Sequence, residues 1–126
     1  MVTDLLTRIK NAQAVKHERV KLPYSKMNET VAHLLLKHKY VAGVVKKGRM
    51  PKRMLEVELK YENGSGVIRG IKFVSKPSRR IYAGYRDLKS VKQGYGMLMI
   101  STPEGLMSGS EARKKKLGGE LLFEIW

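Results

Sequence analysis

The chain has 126 residues, with 26 lysines and arginines against 11 aspartates and glutamates, a formal net charge of +15. The absence of cysteine excludes a disulfide framework, a thiolate metal site and a cysteine nucleophile. Its apolar share of 42% suits a folded protein, and no run approaches the roughly 18 apolar residues of a membrane span. The first residues lack the pattern of a secretory signal. Such an excess of positive charge predicts a polyanionic partner, and it favours nucleic acid over a membrane surface.

Two amphipathic helices are predicted in the first 40 residues. The first is capped by Thr3 or Asp4 and ends near residue 15. Its apolar residues recur at helical spacing and form one buried stripe: Leu5, Leu6, Ile9, Ala12 and Val15. The second opens at Ser25, a good N-cap residue. Its predicted buried face repeats at intervals of three and four: Met27, Val31, Leu34, Leu35 and His38.

The hydrophobic period then changes and predicts an antiparallel sheet. Strands are expected over residues 40–46 and 55–61, joined by a basic hairpin loop over 47–53, with both helices on one sheet face. A turn-forming segment at 62–66 marks a boundary. The prediction is an α+β protein of two small modules, each a short sheet packed with one or two helices. These are an N-terminal α/β module (1–66) and a mainly β module with one basic helix (67–126), the second being the main site of binding.

Further strands are predicted in the second module. They cover residues 67–75, 81–83 and 97–100, and the last of these is apolar on both faces, which is typical of a buried central strand. Leu121, Phe123 and Ile125 alternate along a closing strand. Residues 72–92 are strongly basic, with seven lysines and arginines against one aspartate.

A hydroxyl-rich loop follows the central strand. Pro103 restrains the loop and Gly105 permits its turn. Ser101 and Thr102 are therefore expected to face outward, where small hydroxyls suit RNA 2′-hydroxyls and base edges. The alternative is an ordinary turn in which these hydroxyls cap their own backbone. The local pattern alone favours that alternative.

A short basic helix is predicted next. Ser108 and Glu111 match a capping box, and the helix should run to Leu117 and stop at Gly118. Its cations, Arg113 and Lys114 among them, either contact phosphates or form a solvated face. Glu120 follows two glycines, and a lone carboxylate on a surface for polyanions must accept from a base or orient an arginine.

Other chemistry finds little support in the sequence. Tyr82, Tyr85 and Tyr95 lie among basic residues and are open to two readings, stacking on nucleotides or half-burial in strands. The three histidines have no partners at ligand spacing, so no metal is expected. There is no nucleophile, acid–base pair or dinucleotide loop, so neither catalysis nor a cofactor is expected.

Motifs along essentially the whole chain resemble those of bacterial small-subunit ribosomal protein eight, from a family found in all ribosomes. Six pieces occur in the family's order and spacing, which makes chance similarity implausible. They are Leu6–Ala12, Pro23–Met27, Ser75–Pro77 with Arg80–Tyr82, Ile100–Thr102 with Gly105, Glu111–Lys114, and Gly118–Leu121 with the final Trp126.

The resemblance implies a cytoplasmic, non-enzymatic constituent of the small ribosomal subunit. Such a protein binds the central domain of small-subunit rRNA early in assembly, beside neighbouring ribosomal proteins, and some members also bind their own messenger RNA. A sequence-neutral basic nucleic-acid-binding protein is the alternative. Contacts carried over by matching position, or placed on the basic helix, are Lys26, Tyr82, Ser101, Thr102, Arg113, Lys114 and Glu120.

The chain departs from the family at three places. Many members have a third hydroxyl where this chain has Pro103, and often a lysine where it has Glu104, so no contact is carried to Pro103. The N-terminus is a few residues shorter than usual. Gly109 replaces an acidic residue in the first turn of the basic helix, which weakens the start of that helix.

Overall fold

The structure is a computed structural model that describes residues 2–49 and 51–126. The chain divides into two compact units, Met1–Ile68 and Arg69–Trp126. Helices and antiparallel sheets occur in both, which confirms the predicted α+β class. The predicted module boundary, after residue 66, lies two residues before this division.

Unit 1 consists of two helices on one three-stranded sheet, followed by a small hairpin. Its elements are α1 (Val2–Ala14), β1 (Arg19–Pro23), α2 (Lys26–Lys37), β2 (Val41–Lys47), β3 (Met54–Leu59), β4 (Tyr61–Glu62) and β5 (Ser65–Gly66). The sheet order is β1-β3-β2, all antiparallel. The helices pack on each other and on the sheet. Fully buried residues from both layers form the core: Leu5, Leu6, Ile9, Leu22, Val31, Ala32, Leu35, Leu55 and Val57.

The two helices follow the sequence prediction except at their margins. Ser25 caps α2, its hydroxyl accepting a hydrogen bond from the Asn28 amide at 3.1 Å. Helix α1 begins at Val2, ahead of the predicted caps, and ends at Ala14. Val15 therefore lies outside it and is 64% exposed, so its assignment to the buried stripe was wrong. Met27, placed on the predicted buried face of α2, is also exposed, so that part of the prediction was wrong.

Strand β1 was not predicted, and it changes the surroundings of Glu56. The alternation in β3 is confirmed for Leu55, Val57 and Leu59, which are buried. Glu56 was expected on the polar face, yet it is only 6% exposed. Arg19 of β1 and Lys47 of β2 approach its carboxylate at 3.5 and 3.1 Å and cover it.

The two turns of unit 1 lie where the sequence places them. The basic loop joins β2 to β3, although its Met50 lies outside the described residues. At 62–66, Asn63 and Gly64 both have positive φ, +53° and +78°, which suits a tight two-residue hairpin. Gln13 ties α1 to the end of the unit, since its side-chain amide donates to the Ile68 carbonyl oxygen at 2.7 Å.

Unit 2 is built around a five-stranded antiparallel sheet with one short helix. Its elements are β6 (Ile71–Phe73), β7 (Tyr82–Ala83), β8 (Met97–Thr102), β9 (Gly105–Ser108), α3 (Gly109–Lys114) and β10 (Gly119–Ile125). The order is β6-β10-β8-β9, and β7 also pairs with β10. The predicted strand over 67–75 is shorter than expected, and β9 was not predicted. Met97–Ile100 is buried throughout, as predicted for a central strand.

One hydrophobic cluster holds α3 and the 84–91 segment on the sheet of unit 2. Its buried members are Leu88, Val91, Leu98, Ile100, Met107 and Ala112. Ala83, Tyr85, Leu117, Leu121 and Trp126 pack around it, partly buried. Alternation in β8 sends Leu98 and Ile100 to this cluster, so Ser101 is directed to the opposite face.

Candidate nucleic-acid interface

Three of the predicted site residues lie side by side across neighbouring strands of unit 2. Glu120 of β10 is directly opposite Tyr82 of β7 on one side and Ser101 of β8 on the other. Directly opposed residues of an antiparallel sheet share a face. Tyr82 is 66% exposed and Ser101 is intermediate. The register therefore assembles an aromatic ring, a carboxylate and a hydroxyl from segments up to 38 residues apart in the sequence.

Arg80 joins this row through Glu120. One terminal guanidinium nitrogen, Nη1, lies 3.2 Å from Glu120 Oε2 and 3.4 Å from Oε1. The Glu120 side chain is only 15% exposed, whereas that of Arg80 is 53% exposed. The carboxylate thus lies beneath a solvent-facing guanidinium. From the sequence, Glu120 was expected either to accept from a base or to orient an arginine. In the structure, Arg80 is the arginine that pairs with it. Arg80 was not among the contacts predicted from the sequence, because it and Glu120 are 40 residues apart.

The two glycines before Glu120 allow β10 to approach its neighbours. A Cβ on Gly118 would lie 2.6 Å from the Ala83 carbonyl oxygen, and one on Gly119 would collide with the Ser101 carbonyl oxygen. Only glycine avoids both clashes. The pair therefore sets the position of Glu120 between Tyr82 and Ser101.

Thr102 does not face outward as expected. It is 8% exposed, and its hydroxyl donates to the Gly105 carbonyl oxygen at 2.8 Å and accepts from the Glu104 amide at 3.1 Å. The loop is the turn of the β8–β9 hairpin, in which Thr102 pairs with Gly105. The self-capping alternative is therefore what Thr102 adopts. Ser101, one residue earlier, makes no such contact and is partly exposed.

The basic helix is shorter than predicted and ends differently. Ser108 caps it as expected, accepting from the Glu111 amide at 3.2 Å. After Lys114 the chain turns at Lys116, which has a φ of +58°. The Lys116 amide donates to the Arg113 carbonyl oxygen and that of Leu117 to Ala112, the pattern of a Schellman motif. Lys116, not Gly118, therefore ends the helix.

Arg113 and Lys114 are exposed and line a cleft of about 200 Å³. Lys89 and Ser90 line the same cleft, and neither was among the contacts predicted from the sequence. No carboxylate lines this cleft among the described residues. By contrast, the neighbouring Lys115 lies 3.9 Å from Glu111. Three cations around one small cleft suit an anion of phosphate size.

The other two tyrosines differ in exposure, which separates the two alternatives of nucleotide stacking and half-burial. Tyr95 is 87% exposed. Tyr85 packs against the cluster of unit 2, and the Arg86 guanidinium lies 5.6 Å from the centre of its ring. Of the three, only Tyr82 shares the row with Glu120.

Lys26, in unit 1, is the exposed first residue of α2. Close to it in sequence, Tyr24 has Arg53 and Lys46 over its ring at 5.4 and 5.9 Å. The Tyr24 hydroxyl donates to Glu29 at 2.9 Å, and this bond, followed by that from Lys46, lowers the pKa of the Glu29 carboxyl. The region around Lys26 is therefore cationic with one ionised carboxylate.

Among residues 2–49 and 51–126, no cluster of three or more histidine, cysteine, aspartate or glutamate side chains is placed to hold a metal ion. The helices described there are all too short and polar to cross a membrane.

These features define a small, basic α+β protein with an aromatic ring, a carboxylate and a hydroxyl in one row across a sheet. Comparison with known proteins identifies the family. The family model described as "Ribosomal protein S8" matches residues 1–126. "Small ribosomal subunit protein uS8" of Nitratidesulfovibrio vulgaris (strain Miyazaki F) is 42% identical over 99% of this chain and 96% of its own. The uS8 protein of Mycoplasmopsis agalactiae is 41% identical over 99% and 95%.

The chain belongs to the ribosomal protein S8 family. This membership confirms the resemblance read from the sequence motifs and the expected class: a structural, RNA-binding protein of the small ribosomal subunit, not an enzyme. Its location in the ribosome, among rRNA and other ribosomal proteins, follows from the same membership.

Proposed function

We propose that this protein binds the central domain of small-subunit rRNA directly and supports subunit assembly, with residues 67–126 as the main binding part. The observation that carries the proposal is the row of Tyr82, Glu120 and Ser101. It offers a stacking ring, a carboxylate with its arginine, and a short hydroxyl on one face. Such a set fits an irregular RNA region, where bases are unstacked and 2′-hydroxyls are accessible.

Charge supplies most of the affinity in this proposal, and the row supplies the selectivity. The net charge of +15 attracts any polyanion, whatever its sequence. Arg113 and Lys114, beside Lys89, hold backbone phosphates, and Lys26 adds a contact from unit 1. Thr102 acts mainly by holding the hairpin that presents Ser101.

A competition assay tests this proposal. A labelled hairpin from the central domain of small-subunit rRNA is bound at about 0.15 M salt, where non-specific binding is weak. Excess unrelated duplex RNA is then added. The complex should survive this challenge. Displacement by an equal concentration of duplex would contradict the proposal and support the alternative, a sequence-neutral basic protein.

Binding to its own messenger RNA is a further part of the proposal, carried over from the family resemblance alone. A messenger segment that reproduces the rRNA fold would occupy the same row. The labelled hairpin should then be displaced by the protein's own messenger but not by a messenger of the same length without that fold. Equal displacement by both messengers would argue against this role.

A further inference from the structure

We infer that Arg80 reads a base edge of the RNA bound at this surface, and that Glu120 is its positioning residue and does not itself contact a base. The inference rests on the proposed function and deepens it. The chemistry it assigns to the ligand is a base edge with two adjacent acceptors. Guanine, with O6 and N7, is the base whose edge an arginine fork matches best. In RNA this edge becomes accessible where bases are unstacked.

The contact geometry leaves the recognising edge of Arg80 open. Both Glu120 oxygens approach the same nitrogen, Nη1, at 3.2 and 3.4 Å. Within the part of the chain that the structure describes, Arg80 makes no other side-chain hydrogen bond. Its Nε and Nη2 hydrogens therefore form a free fork, and two parallel N–H donors match two adjacent acceptors.

The backbone next to Arg80 is held by hydrogen bonds at both the amide and the carbonyl group of Ile81. The Ile81 amide donates to the Ser75 hydroxyl at 2.9 Å, and the Ile81 carbonyl oxygen accepts from the Leu121 amide at 2.8 Å. Glu120 then fixes the distal end of the arginine side chain. Pre-organising a long side chain reduces the entropy lost on binding. The arrangement therefore suits directional recognition.

The charges point the same way. Arg80 and Glu120 together have no net charge, so the pair adds little to the general attraction for phosphates. The pair instead contributes a directional hydrogen-bonding contact to the RNA. If Arg80 is removed alone, a carboxylate that is now unpaired faces a polyanion and repels it. Removal of both charges takes away the directional contact but creates no new repulsion.

The experiment compares the wild-type protein with Arg80→Ala, Arg80→Lys, Glu120→Gln and the double variant Arg80→Ala/Glu120→Gln. Arg79→Ala is the matched control, because Arg79 is exposed, has the same charge and lines a different groove with Lys72 and Glu124. Affinity for the rRNA hairpin and for unrelated duplex is measured over a range of salt concentrations. The melting temperature of each variant is recorded alongside.

In the expected result, Arg80→Ala weakens hairpin binding about 30-fold and the double variant only about 10-fold, so that the second substitution restores affinity. The double variant keeps wild-type binding to duplex and the wild-type salt slope. Glu120→Gln lowers the preference for hairpin over duplex. Arg80→Lys keeps duplex binding but loses about 10-fold on the hairpin, because it lacks the fork. Arg79→Ala weakens both RNAs equally.

Two outcomes would overturn the inference while the proposed function stands. If Glu120→Gln weakened hairpin binding further in the Arg80→Ala background, Glu120 would contact the RNA directly. If the double variant lost affinity equally for both RNAs, with a salt slope reduced by about one, Arg80 would contact a phosphate. Failure of the wild-type protein to prefer the hairpin would instead remove the proposed function, and the inference with it.

Discussion

The Thr102 hydroxyl donates a hydrogen bond to the carbonyl oxygen of Gly105 at 2.8 Å across the β8–β9 turn. The Thr102 hydroxyl oxygen also accepts a hydrogen bond from the Glu104 amide, so this hydroxyl both donates and accepts inside the hairpin. Ser101, its neighbour, lies opposite Glu120. Two adjacent hydroxyls that look alike in the sequence therefore have different roles, one structural and one available to a ligand.

Thr102→Val should lower stability. The substitution keeps the shape of the side chain but removes both hydrogen bonds, so we expect a loss of about 1 kcal/mol in the free energy of unfolding. Chemical denaturation measures it. Thr7→Val, at an exposed position of α1, is the control and should change stability less. An unchanged midpoint together with a large loss of RNA affinity would show that Thr102 acts on the ligand instead.

Ser101→Ala should show the opposite pattern. We expect a loss of about 1–2 kcal/mol in specific binding to the rRNA hairpin, with little change in melting temperature, because Ser101 has no role in the turn. Titration against hairpin and unrelated duplex measures the difference. Ser65→Ala, in the exposed hairpin of unit 1, serves as the control. If Ser101→Ala weakened binding to both RNAs equally, the assignment of selectivity to Ser101 would be wrong.

Lys114→Ala should weaken binding to all RNAs alike and reduce the salt slope by about one, since it removes a phosphate contact. Lys115→Ala is a matched control one residue away, because Lys115 lies beside Glu111 and outside the cleft. We expect a smaller change in slope for it. Equal slopes for the two variants would mean that charge alone, and not the cleft, decides the contact.

Lys116→Gly should stabilise the protein. Lys116 has a φ of +58°, where a residue with a Cβ is strained and glycine is not. The free energy of unfolding should rise by about 0.5 kcal/mol. Lys115→Gly is the control: its φ is −85°, in the right-handed region, so glycine should not stabilise it. A loss of stability for Lys116→Gly would show that the lysine makes a compensating contact.

Acid should destabilise the fold in part through Glu56. The hydrogen bond from Lys47, and then the charges of Lys47 and Arg19, lower the pKa of its carboxyl from 4.5. A lowered pKa in the folded state adds stability that is complete above the unfolded pKa and lost as pH falls through the folded one. The free energy of unfolding should therefore decline below about pH 4.5 more steeply in the wild type than in Glu56→Gln.

The control for this pH dependence is Glu58→Gln, at an exposed position on the same strand. It should keep the wild-type decline, because the ion pairs of Glu56 remain. Identical pH profiles for the wild type and Glu56→Gln would contradict the assigned role of Glu56.

Several elements could be predicted because their signals are local. The cap at Ser25 and the alternation of Leu55, Val57 and Leu59 depend on nearest neighbours and on the period of one segment. Val15 was misassigned because one position on a helical stripe does not reveal where the helix ends. Gly118 was taken for the helix stop because glycine is the usual residue there. In the structure its lack of a Cβ serves contact with Ala83 instead.

The sequence by itself determined the class of this protein, because its charge, its first two helices and its family motifs are all encoded in composition and local order. Tertiary structure decided which residues act together. The register of β7, β8 and β10 brings Tyr82, Ser101 and Glu120 into one row, and Arg80 reaches Glu120 across 40 positions. Long-range pairing of this kind depends on strand register and close packing, which no local pattern specifies.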